Sequence, residues 1–496
     1  MRLLNCQPLF TAADYGMQSR IVSVLVTVLS LSVLRAADPA KKYNVLFIIS
    51  DDLTSTALSC YGNKICKTPN IDAIAAQGTR FTRAYCQGTY CGPSRASFMS
   101  GYYPHATGVL GYKSPRPQIG DRATWSQYFM NHGYHAARVS KIYHMGVPGG
   151  IEQGGHGADD AASWNERYNS PGPEWRAPGK GETLQGNPDG KRPVVGGNTF
   201  VVVEAEGDDL VHSDGKTAVK AAELIGKFSK QDKPFFLGVG FVRPHVPFVA
   251  PKKYYEPFLP YSKMKLPPKI EGDWDDIPKP GINYCTTLNM KMDIRKQKKA
   301  VGGYYASVAF VDAQVGKVMA ALKASGQEDN TIVIFTSDHG FHLGEHNFWA
   351  KVSLLDESSQ VPLIISVPGK QPAVCHSLTE LLDLYPTLAA LCGLPAQPRL
   401  QGKDISRMLD EPHHTVRKAA FSVAPMRKGF LLREDDWAFI QYGEQGQNGM
   451  ELFHIKTDPH QYTNLAGKPA HAQTLDRFRK QMTVKLAAIR NNDLDK

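Results

Sequence analysis

Two pairs of metal-binding residue types follow apolar runs in this sequence. Asp51 and Asp52 come directly after "NVLFIIS", and Asp338 and His339 come directly after "TIVIFTS". In sheets flanked by helices, ligands bind beyond the carboxyl ends of the strands, so we expect the two pairs to meet there. Either pair alone would be typical of a turn with solvated acids. Converging carboxylates repel one another unless a cation joins them, and an oxygen-rich cluster suits a hard divalent ion such as calcium.

Basic and imidazole side chains recur near the ends of other predicted strands. They are Lys141 and His144 in "VSKIYHMG", His245 in "GFVRPHVPF" and Lys351 in "NFWAKVS". Taken singly, each is more typical of a surface lysine or a hydrogen-bonded histidine. Together with a metal, they describe a site for a tetrahedral anion whose charge grows during reaction.

The stretch "YCGPSRASFMSGYYP", Tyr90 to Pro104, predicts a helix that begins close to a cysteine. Pro93 is a favoured first helical residue and Gly101 a plausible stop, which places Cys91 at the helix N-terminus, where free N–H groups favour an anion. Arg95, one turn further, can bind two oxygens at once. A thiolate nucleophile is the obvious interpretation. It is a poor one, because sulfur that attacked a sulfuryl or phosphoryl centre would form an adduct with no evident way out.

The elements that must position these residues alternate along the chain. Four apolar, β-branched runs predict strands buried on both faces: "YNVLFIIS", "PFFLGVGF", "NTIVIFTS" and "VPLIISV". Helical patterns lie at "TPNIDAIAAQ" before Gly78, at residues 215–230 and at residues 304–324. This alternation predicts a doubly wound α/β domain. Residues 146–198 are rich in Gly and Pro and predict a long loop at the rim of the pocket.

The end of the chain predicts a different architecture. After residue 401, "GFLLREDDWAFIQY" and "GMELFHIKTDPHQYTNLAG" are typical of short hairpin strands, and a last helix follows from Gln473. The chain therefore predicts a small C-terminal α+β domain after the large one. With 496 residues, the length is also that of a large domain plus a smaller one.

Composition and the first residues narrow the class of protein. Hydrophobic residues make up 42% and charged residues 21%, which is ordinary for a folded enzyme, and the formal charge of +10 suits an anionic substrate. We find no Lys/Arg-rich patch of the nucleic-acid type. The apolar run "IVSVLVTVLSLSVL", Ile21 to Leu34, is short for a membrane span and predicts a signal peptide over residues 1–37, hence export to the periplasm or the outside and no stable membrane anchor.

The cysteine count also bears on chemistry. Seven cysteines follow the predicted signal peptide, and an odd number in an exported protein indicates a thiol that is free or chemically altered. Their spacings match no zinc site, and a Cys60–Cys66 disulfide is conceivable.

At this point the motifs resemble those of the type I sulfatases, whose signature is C-x-P-S-R. The likeness includes "CGPSR" with "MSGYYP", "NVLFIISDDL", "GYHAARVSKIYH", "PFFLGVGFVRPHVPF" and "TIVIFTSDHGFHLGEHNFWAK", and it is greatest to the iduronate-2-sulfatase-like branch. It implies an alkaline-phosphatase-like large domain with a mostly parallel sheet between helices. We expect a catalytic domain over residues 38–405 and a C-terminal α+β subdomain over residues 406–496.

The resemblance also implies a modified nucleophile. In that family the cysteine is oxidised to formylglycine by a maturation enzyme, here at Cys91. The aldehyde would hydrate to a geminal diol, one hydroxyl of which attacks sulfur while the other later lets sulfate leave. Carried over by position, the implied calcium ligands are Asp51, Asp52, Cys91, Asp338 and His339.

The same resemblance assigns the remaining polar residues. Arg95, Lys141 and Lys351 would neutralise sulfate oxygens, and Asp338 would assist the attacking hydroxyl. His245 would bind substrate and protonate the leaving oxygen, and His144 would take the proton when the diol collapses. One departure is His339, where many members have Asn; the iduronate-type branch shares the Asp-His pair. Gly92 fills a position that the motif leaves open.

The substrate is the least determined part of the prediction. A sulfated carbohydrate or polysaccharide is the expected partner, with no particular sugar implied. The nearest rival is a two-zinc phosphatase of the same superfamily, but it would need a further Asp and His pair before the helix near Tyr304, and "KKAVGGYYASV" contains none. A formylglycine-dependent phosphonate or phosphodiester hydrolase is a further alternative. A catalytically silent protein that binds sulfated glycans is an alternative from a different class.

Overall fold

The computed structural model describes residues 42–185 and 200–494. Within these ranges the strands are β1 (Asn44–Asp51), β2 (Thr79–Tyr85), β3 (His135–Ser140), β4 (Glu166–Tyr168), β5 (Gly179–Thr183), β6 (Val201–Ala205), β7 (Phe235–Pro244), β8 (Phe248–Pro251), β9 (Thr331–Ser337), β10 (His342–Leu343), β11 (Trp349–Ala350), β12 (Gln360–Ser366), β13 (Ala373–Cys375), β14 (Thr379–Glu380), β15 (Ala420–Ala424), β16 (Gly429–Arg433), β17 (Trp437–Tyr442) and β18 (Met450–His454).

The α-helices in the same ranges are α1 (Pro69–Gln77), α2 (Cys91–Ser100), α3 (Pro104–Thr107), α4 (Arg116–Ile119), α5 (Trp125–Asn131), α6 (Gly149–Gln153), α7 (Ser213–Phe228), α8 (Ile294–Ala324), α9 (Asp356–Ser359), α10 (Leu384–Leu391) and α11 (Ala472–Arg490). The predicted signal peptide, residues 1–37, lies outside the described residues, as do residues 186–199 of the predicted loop. No helix of the described part is long and apolar enough to cross a bilayer.

The apolar runs that predict strands form the centre of one large sheet. Its strand order is β13-β2-β12-β9-β1-β7-β3-β4, with β14 beside β2. The pairs β9/β1, β1/β7, β7/β3 and β3/β4 are parallel, whereas β12 runs antiparallel to both β9 and β2. The predicted α/β fold with a mostly parallel sheet is therefore confirmed.

Strand β1 shows why this sheet has helices on both faces. Successive side chains of a strand point to opposite faces. Leu46 and Ile48 join a hydrophobic cluster with α1, α7 and α8, and Phe47 joins a second cluster with α2, α5 and α10. All three side chains are fully buried, so the continuous apolar run in the sequence reflects burial on both faces.

The C-terminal part has the predicted α+β character. Strands β15 to β18 form an antiparallel sheet in chain order, and α11 packs against it, with the rings of Phe439 and Phe478 stacked at 5.5 Å. An isolated bridge between Gly88 and Val423 joins this sheet to the segment before α2. The described residues, 42–185 and 200–494, belong to one compact unit. The boundary between residues 405 and 406 stays a prediction.

Three local expectations differ from the structure. Helix α8 begins ten residues before the predicted Tyr304, because Asp293 caps it by accepting from Lys296 N at 2.8 Å. The segment predicted to be a loop contains α6, β4 and β5, and β5 joins β6 and β8 in a small sheet. None of the seven cysteines in the described ranges forms a disulfide, so the Cys60–Cys66 bridge considered above is not present.

Candidate active site

Four neighbouring strands deliver the predicted site residues to one edge of the sheet. Strands β9, β1, β7 and β3 are adjacent and parallel. The first residues at or just beyond their carboxyl ends are, in the same order, Asp338, Asp51, His245 and Lys141. This juxtaposition follows from topology, because the carboxyl ends of parallel strands lie at the same edge.

The backbone at the end of β1 turns so that both of its acids reach one centre. In a regular strand, Asp51 and Asp52 would point to opposite faces. Asp52 instead has a φ of 61°, a left-handed conformation that is uncommon outside glycine. Tyr304 of α8 holds this turn, since its hydroxyl donates to Asp52 O at 2.7 Å and accepts from Thr54 N at 2.8 Å. Asp52 N in turn donates to Asp338 Oδ1 at 3.2 Å.

Cys91 is the first residue of α2, so it lies at the helix N-terminus as predicted. Tyr90 is the N-cap in an extended conformation, and Gly101 ends the helix with a φ of 82°. The Cys91 side chain is 1% exposed. Its Sγ lies 3.5 Å from Asp51 Oδ1, 3.5 Å from His339 Nε2 and 3.3 Å from Lys351 Nζ. Burial, and after it the charge of Asp51, raises the pKa of this thiol. As an unmodified cysteine, residue 91 is therefore protonated.

The structure requires glycine at position 92, although the motif allows any residue there. A Cβ on Gly92 would lie 2.3 Å from Gly111 O and 3.1 Å from Tyr112 Cα. Real Cβ atoms do not approach backbone so closely, so only glycine lets the segment around Gly111 lie on the first turn of α2.

Arg95 connects two of the predicted metal ligands. Its Nε donates to Asp338 Oδ2 at 2.9 Å and its Nη2 donates to Asp51 Oδ1 at 2.9 Å. The remaining amino group, Nη1, donates to the carbonyls of Lys141 and Ile142 at 2.5 and 2.9 Å. The guanidinium is fully buried and mostly occupied by these partners. These contacts favour a role in orienting carboxylates, and the predicted contact with sulfate oxygens stays a prediction.

Two lysines pair with the acids of β1. Lys141 Nζ forms an ion pair with Asp51 Oδ2, and Lys351 Nζ lies 2.7 Å from Asp52 Oδ1. Burial alone would raise the pKa of Asp51, but Lys141 and Arg95 outweigh it and hold that pKa well below its usual range. Burial likewise would lower the pKa of Lys351, but Asp52 raises it well above its ordinary value. Asp51 and Lys351 are therefore charged.

The carboxylates and His339 fit a hard cation. One ligand atom from each of Asp51, Cys91, Asp338 and His339 lies within 4.8 Å of the others, and Asp51, Asp52, Cys91 and His245 form an overlapping group. Asp52 Oδ2 is buried and accepts no hydrogen bond in the described part of the chain. An unpartnered buried carboxylate oxygen is costly, and a bound cation would compensate it.

The imidazole of His339 is oriented for such a role. Its Nδ1 lies 2.9 Å from Gly340 O, which directs Nε2 toward Asp52 Oδ1 at 3.2 Å. Burial would lower the pKa of His339, but Asp338 and Asp52 raise it well above its ordinary value. A proton and a metal ion are alternatives on the same nitrogen.

The other two predicted histidines line the site as neutral rings. Burial, followed by the charge of Lys141, lowers the pKa of His144 to about 2. Burial lowers the pKa of His245 to about 3 although Asp52 opposes the change, and its Nε2 lies 3.8 Å from Asp52 Oδ2. His144 stacks on Tyr112 with ring centroids 4.1 Å apart and an interplanar angle of 22°.

The structure thus brings all ten predicted site residues to one centre. Two aromatic residues beside them, Tyr304 and Tyr112, carry no sequence signal of a site. Tyr304 lies on a buried face of α8, where periodicity predicts only core. Tyr112 lies in an irregular segment outside every motif.

Parallel strands whose ends surround the N-terminus of a helix with carboxylates and cations are the arrangement of an alkaline-phosphatase-like hydrolase, which acts on esters of tetrahedral oxyacids. Residues 43–394 match the Sulfatase family, and residues 344–488 match the family described as N-sulphoglucosamine sulphohydrolase, C-terminal. The chain therefore belongs to the sulfatase family, on its iduronate-2-sulfatase-like branch, and is a sulfuric ester hydrolase.

Individual proteins agree with this assignment. The chain is 34% identical over 398 residues to iduronate 2-sulfatase of Mus musculus, which covers 72% of this chain and 70% of that protein. It superimposes with a TM-score of 0.68 and 20% identity on a protein solved with its substrate D-glucosamine-2-N,6-O-disulfate, covering 92% of this chain and 100% of that one. The phosphonate monoester hydrolase of Silicibacter pomeroyi gives a TM-score of 0.73 at 20% identity, covering 91% and 96%. Both of these solved structures share the fold.

Proposed function

We propose that this sulfatase hydrolyses sulfate esters of a sulfated carbohydrate, with formylglycine formed from Cys91 as nucleophile and calcium as metal cofactor. The observation that carries the proposal is the position of Cys91. It lies at a helix N-terminus with Sγ 3.3 Å from the Lys351 ammonium and 3.5 Å from Asp51 Oδ1. A group attached here meets both the cations that attract an oxyanion and the carboxylates that hold a metal.

Calcium would be held by Asp51, Asp52, Asp338 and His339, together with position 91. When bound, it adds two positive charges that stabilise negative charge developing on the sulfuryl oxygens. Formylglycine supplies an aldehyde hydrate that can both attack sulfur and release the product. Asp52 Oδ2 supports the metal, because this buried oxygen accepts no hydrogen bond from the described residues, and His245 Nε2 is 3.8 Å from it.

The contacts of the remaining charged side chains indicate the role of each in the proposed reaction. Arg95 keeps Asp51 and Asp338 facing position 91 through its two 2.9 Å contacts. Lys351 and Lys141 neutralise sulfate oxygens, and they form ion pairs with Asp52 and Asp51, respectively. Asp338 assists the attacking hydroxyl by accepting its proton.

We assign the other two proton transfers to His144 and His245. His144, whose ring is neutral, accepts the proton released when the product leaves. His245 donates a proton to the leaving oxygen. An anionic ester beside this ring favours its protonated form, because a nearby opposite charge stabilises imidazolium.

The substrate class rests on the relatives. Iduronate 2-sulfatase and the protein solved with a glucosamine disulfate are both named for sulfated sugars. The formal charge of +10 also favours an anionic ligand by long-range attraction. We further propose that the protein is exported and that a formylglycine-generating enzyme matures it.

The test is desulfation of a panel of defined sulfated oligosaccharides by protein made in a host with the maturation machinery. We expect release of sulfate from at least one member, and tryptic peptide mass should show aldehyde at residue 91. A thiol at that position together with glycan binding and no turnover would instead support the silent binding protein.

The second candidate is a formylglycine-dependent phosphonate or phosphodiester hydrolase, and the fold likeness to the Silicibacter pomeroyi enzyme favours keeping it. Matched sulfate, phosphate and phosphonate esters of one alcohol separate the two functions. A higher kcat/KM for the phosphonate ester than for the sulfate ester would overturn the sulfatase proposal.

A further inference from the structure

The segment Gly111–Ser114 lies against the turn of helix that carries the nucleophile position. Gly111 O would be 2.3 Å from a Cβ on Gly92, and the Tyr90 hydroxyl donates to Leu110 O. Because this segment contacts residues on both sides of Cys91, its position relative to that residue is fixed by the fold.

Tyr112 extends from this segment over a catalytic histidine and yet remains accessible. Its ring stacks on His144 at 4.1 Å and contacts Tyr90 in a T-shaped arrangement at 5.4 Å. Even so, 52% of the Tyr112 residue surface is exposed. Large aromatic residues are usually covered in a monomer, so an exposed one that is anchored beside reactive groups indicates a ligand contact.

A cavity opens directly beside this ring. Its volume is about 570 Å³, within the range of small-molecule sites. The residues that matter for ligand chemistry are Tyr112, Lys113, Gln118, His144 and Asp159. Since His144 belongs to the wall of this cavity and to the candidate active site, the two spaces adjoin.

The polar groups of the cavity favour an anion. Asp159 is compensated by Arg138, whose Nη2 lies 2.7 Å away. Lys113 is exposed and has no ion-pair or hydrogen-bond partner within residues 42–185 and 200–494. The cavity therefore offers an aromatic face and an uncompensated cation.

We propose that Tyr112 and Lys113 form a subsite for the sugar ring that carries the scissile sulfate, with Tyr112 packing on the ring and Lys113 binding a second anionic group on it. This inference rests on the proposed function and assigns to it two specificity-determining residues, for a sugar with a carboxylate or a further sulfate besides the one removed. A ring has an apolar C–H face that suits an aromatic side chain, while its substituents reach the polar groups.

The test compares three substrates that share one ring and one scissile sulfate: a sugar with no further charge, here called the neutral sugar, one with a carboxylate and one with a second sulfate. We expect the wild type to prefer one of the two doubly anionic sugars. Lys113→Gln should remove that preference, raising KM for the preferred sugar about tenfold while KM for the neutral sugar stays within about twofold, as expected for one lost ionic contact. Lys64→Gln, an exposed lysine elsewhere, is the matched control.

Tyr112 is tested separately. Tyr112→Ala should raise KM for all three sugars, and Tyr112→Phe should restore it because the ring is kept. A change confined to kcat, with KM unaltered, would mean that Tyr112 acts only through His144 and would overturn the subsite. Unchanged preference in Lys113→Gln would overturn the assignment of the cation. The sugar whose advantage Lys113→Gln removes identifies the anionic group.

Binding distinguishes failure of this inference from failure of the proposed function. If the wild type cleaves no sulfate ester, the proposed function fails. Calorimetric titration with the three sugars then still tests the subsite: weaker binding to Tyr112→Ala and Lys113→Gln than to wild type supports it, and equal binding overturns it.

Discussion

Lys351 Nζ lies 3.3 Å from Cys91 Sγ. An ammonium group so close to the nucleophile position is placed to meet charge that appears during reaction. Its partner Asp52, at 2.7 Å, keeps it charged in a fully buried place. Lys351 therefore connects the proposed metal site with the proposed sulfate site.

Lys351→Ala should lower kcat/KM by about 100-fold or more, because the lost contact stabilises charge in the transition state. Calcium affinity should change much less, since Lys351 does not offer a metal ligand. Steady-state kinetics and calcium titration measure the two effects. Lys370→Ala, which removes only a surface pair with Asp410, serves as control. Equal losses of catalysis and calcium affinity would contradict the assignment of Lys351 to the sulfate oxygens.

Cys91→Ala should abolish turnover and leave the fold and part of substrate binding intact. The side chain is small and buried, so its loss removes the nucleophile without a large cavity. Kinetics, thermal unfolding and sugar binding should be measured together. Cys86→Ala, at another fully buried cysteine five residues earlier, should keep activity. Turnover by the Cys91 variant would contradict the nucleophile assignment.

Calcium should raise the melting temperature of the wild type after chelation with EDTA, since a ligand that binds only the folded state stabilises it. Asp52→Asn should weaken this response, because it replaces a carboxylate whose Oδ2 is unpartnered in the described structure. Asp410→Asn, at an exposed acid, should respond like the wild type. An identical shift in Asp52→Asn would place the ion elsewhere. This measurement does not require a mature nucleophile.

Gly92→Ala should impair substrate binding without a change in any polar group of the site. The new methyl group would overlap Gly111 O and displace the segment that carries Tyr112. We expect a raised KM in protein whose residue 91 is shown by peptide mass to be modified as in the wild type. Ala96→Gly, a change in the same helix away from Gly111, controls for helix stability. An unaltered KM would show that the segment can shift at no cost.

The buried carboxyl group of Glu451 should cause the free energy of unfolding to fall as pH rises. The residue is 2% exposed, and burial raises its pKa to about 7 from an ordinary value of 4.5. The folded state therefore holds a proton between these pH values that the unfolded state has lost, so the free energy of unfolding falls across that window, by at most about 3 kcal/mol. Glu451→Gln should flatten this dependence in denaturant titrations at pH 5 and pH 8. Glu444→Gln, at an exposed acid, should not, and equal slopes in all three proteins would refute the assignment.

Much of the fold could be predicted because its central strands are buried on both faces. The runs that end at Asp51 and Asp338 need no long-range information to be identified as strands. Strand β12 has the same composition but runs antiparallel, since the direction of a buried strand depends on its connections and not on its side chains.

Much of the candidate site could also be predicted from the sequence. Every polar residue named from the motifs lies at the predicted edge of the sheet. The contact of Arg95 with Asp338 and the hydrogen bond from Tyr304 that holds the left-handed turn at Asp52 join residues more than 200 positions apart in the sequence. Tyr112 reaches His144 only because Gly92 admits the backbone of Gly111, a relationship that no periodicity encodes.

The burial of Cys91 has a consequence for how the protein is made. At 1% exposure, its thiol is beyond the reach of any other macromolecule once the chain has closed around it. The side chains that complete this enclosure include His339 and Lys351, which are synthesised 248 and 260 positions later. The thiol thus stays accessible until the second half of the chain has been synthesised. Under the proposed maturation of Cys91, the yield of active protein depends on the rate of modification relative to the rates of translation and folding, so a host that translates more slowly should give a higher yield.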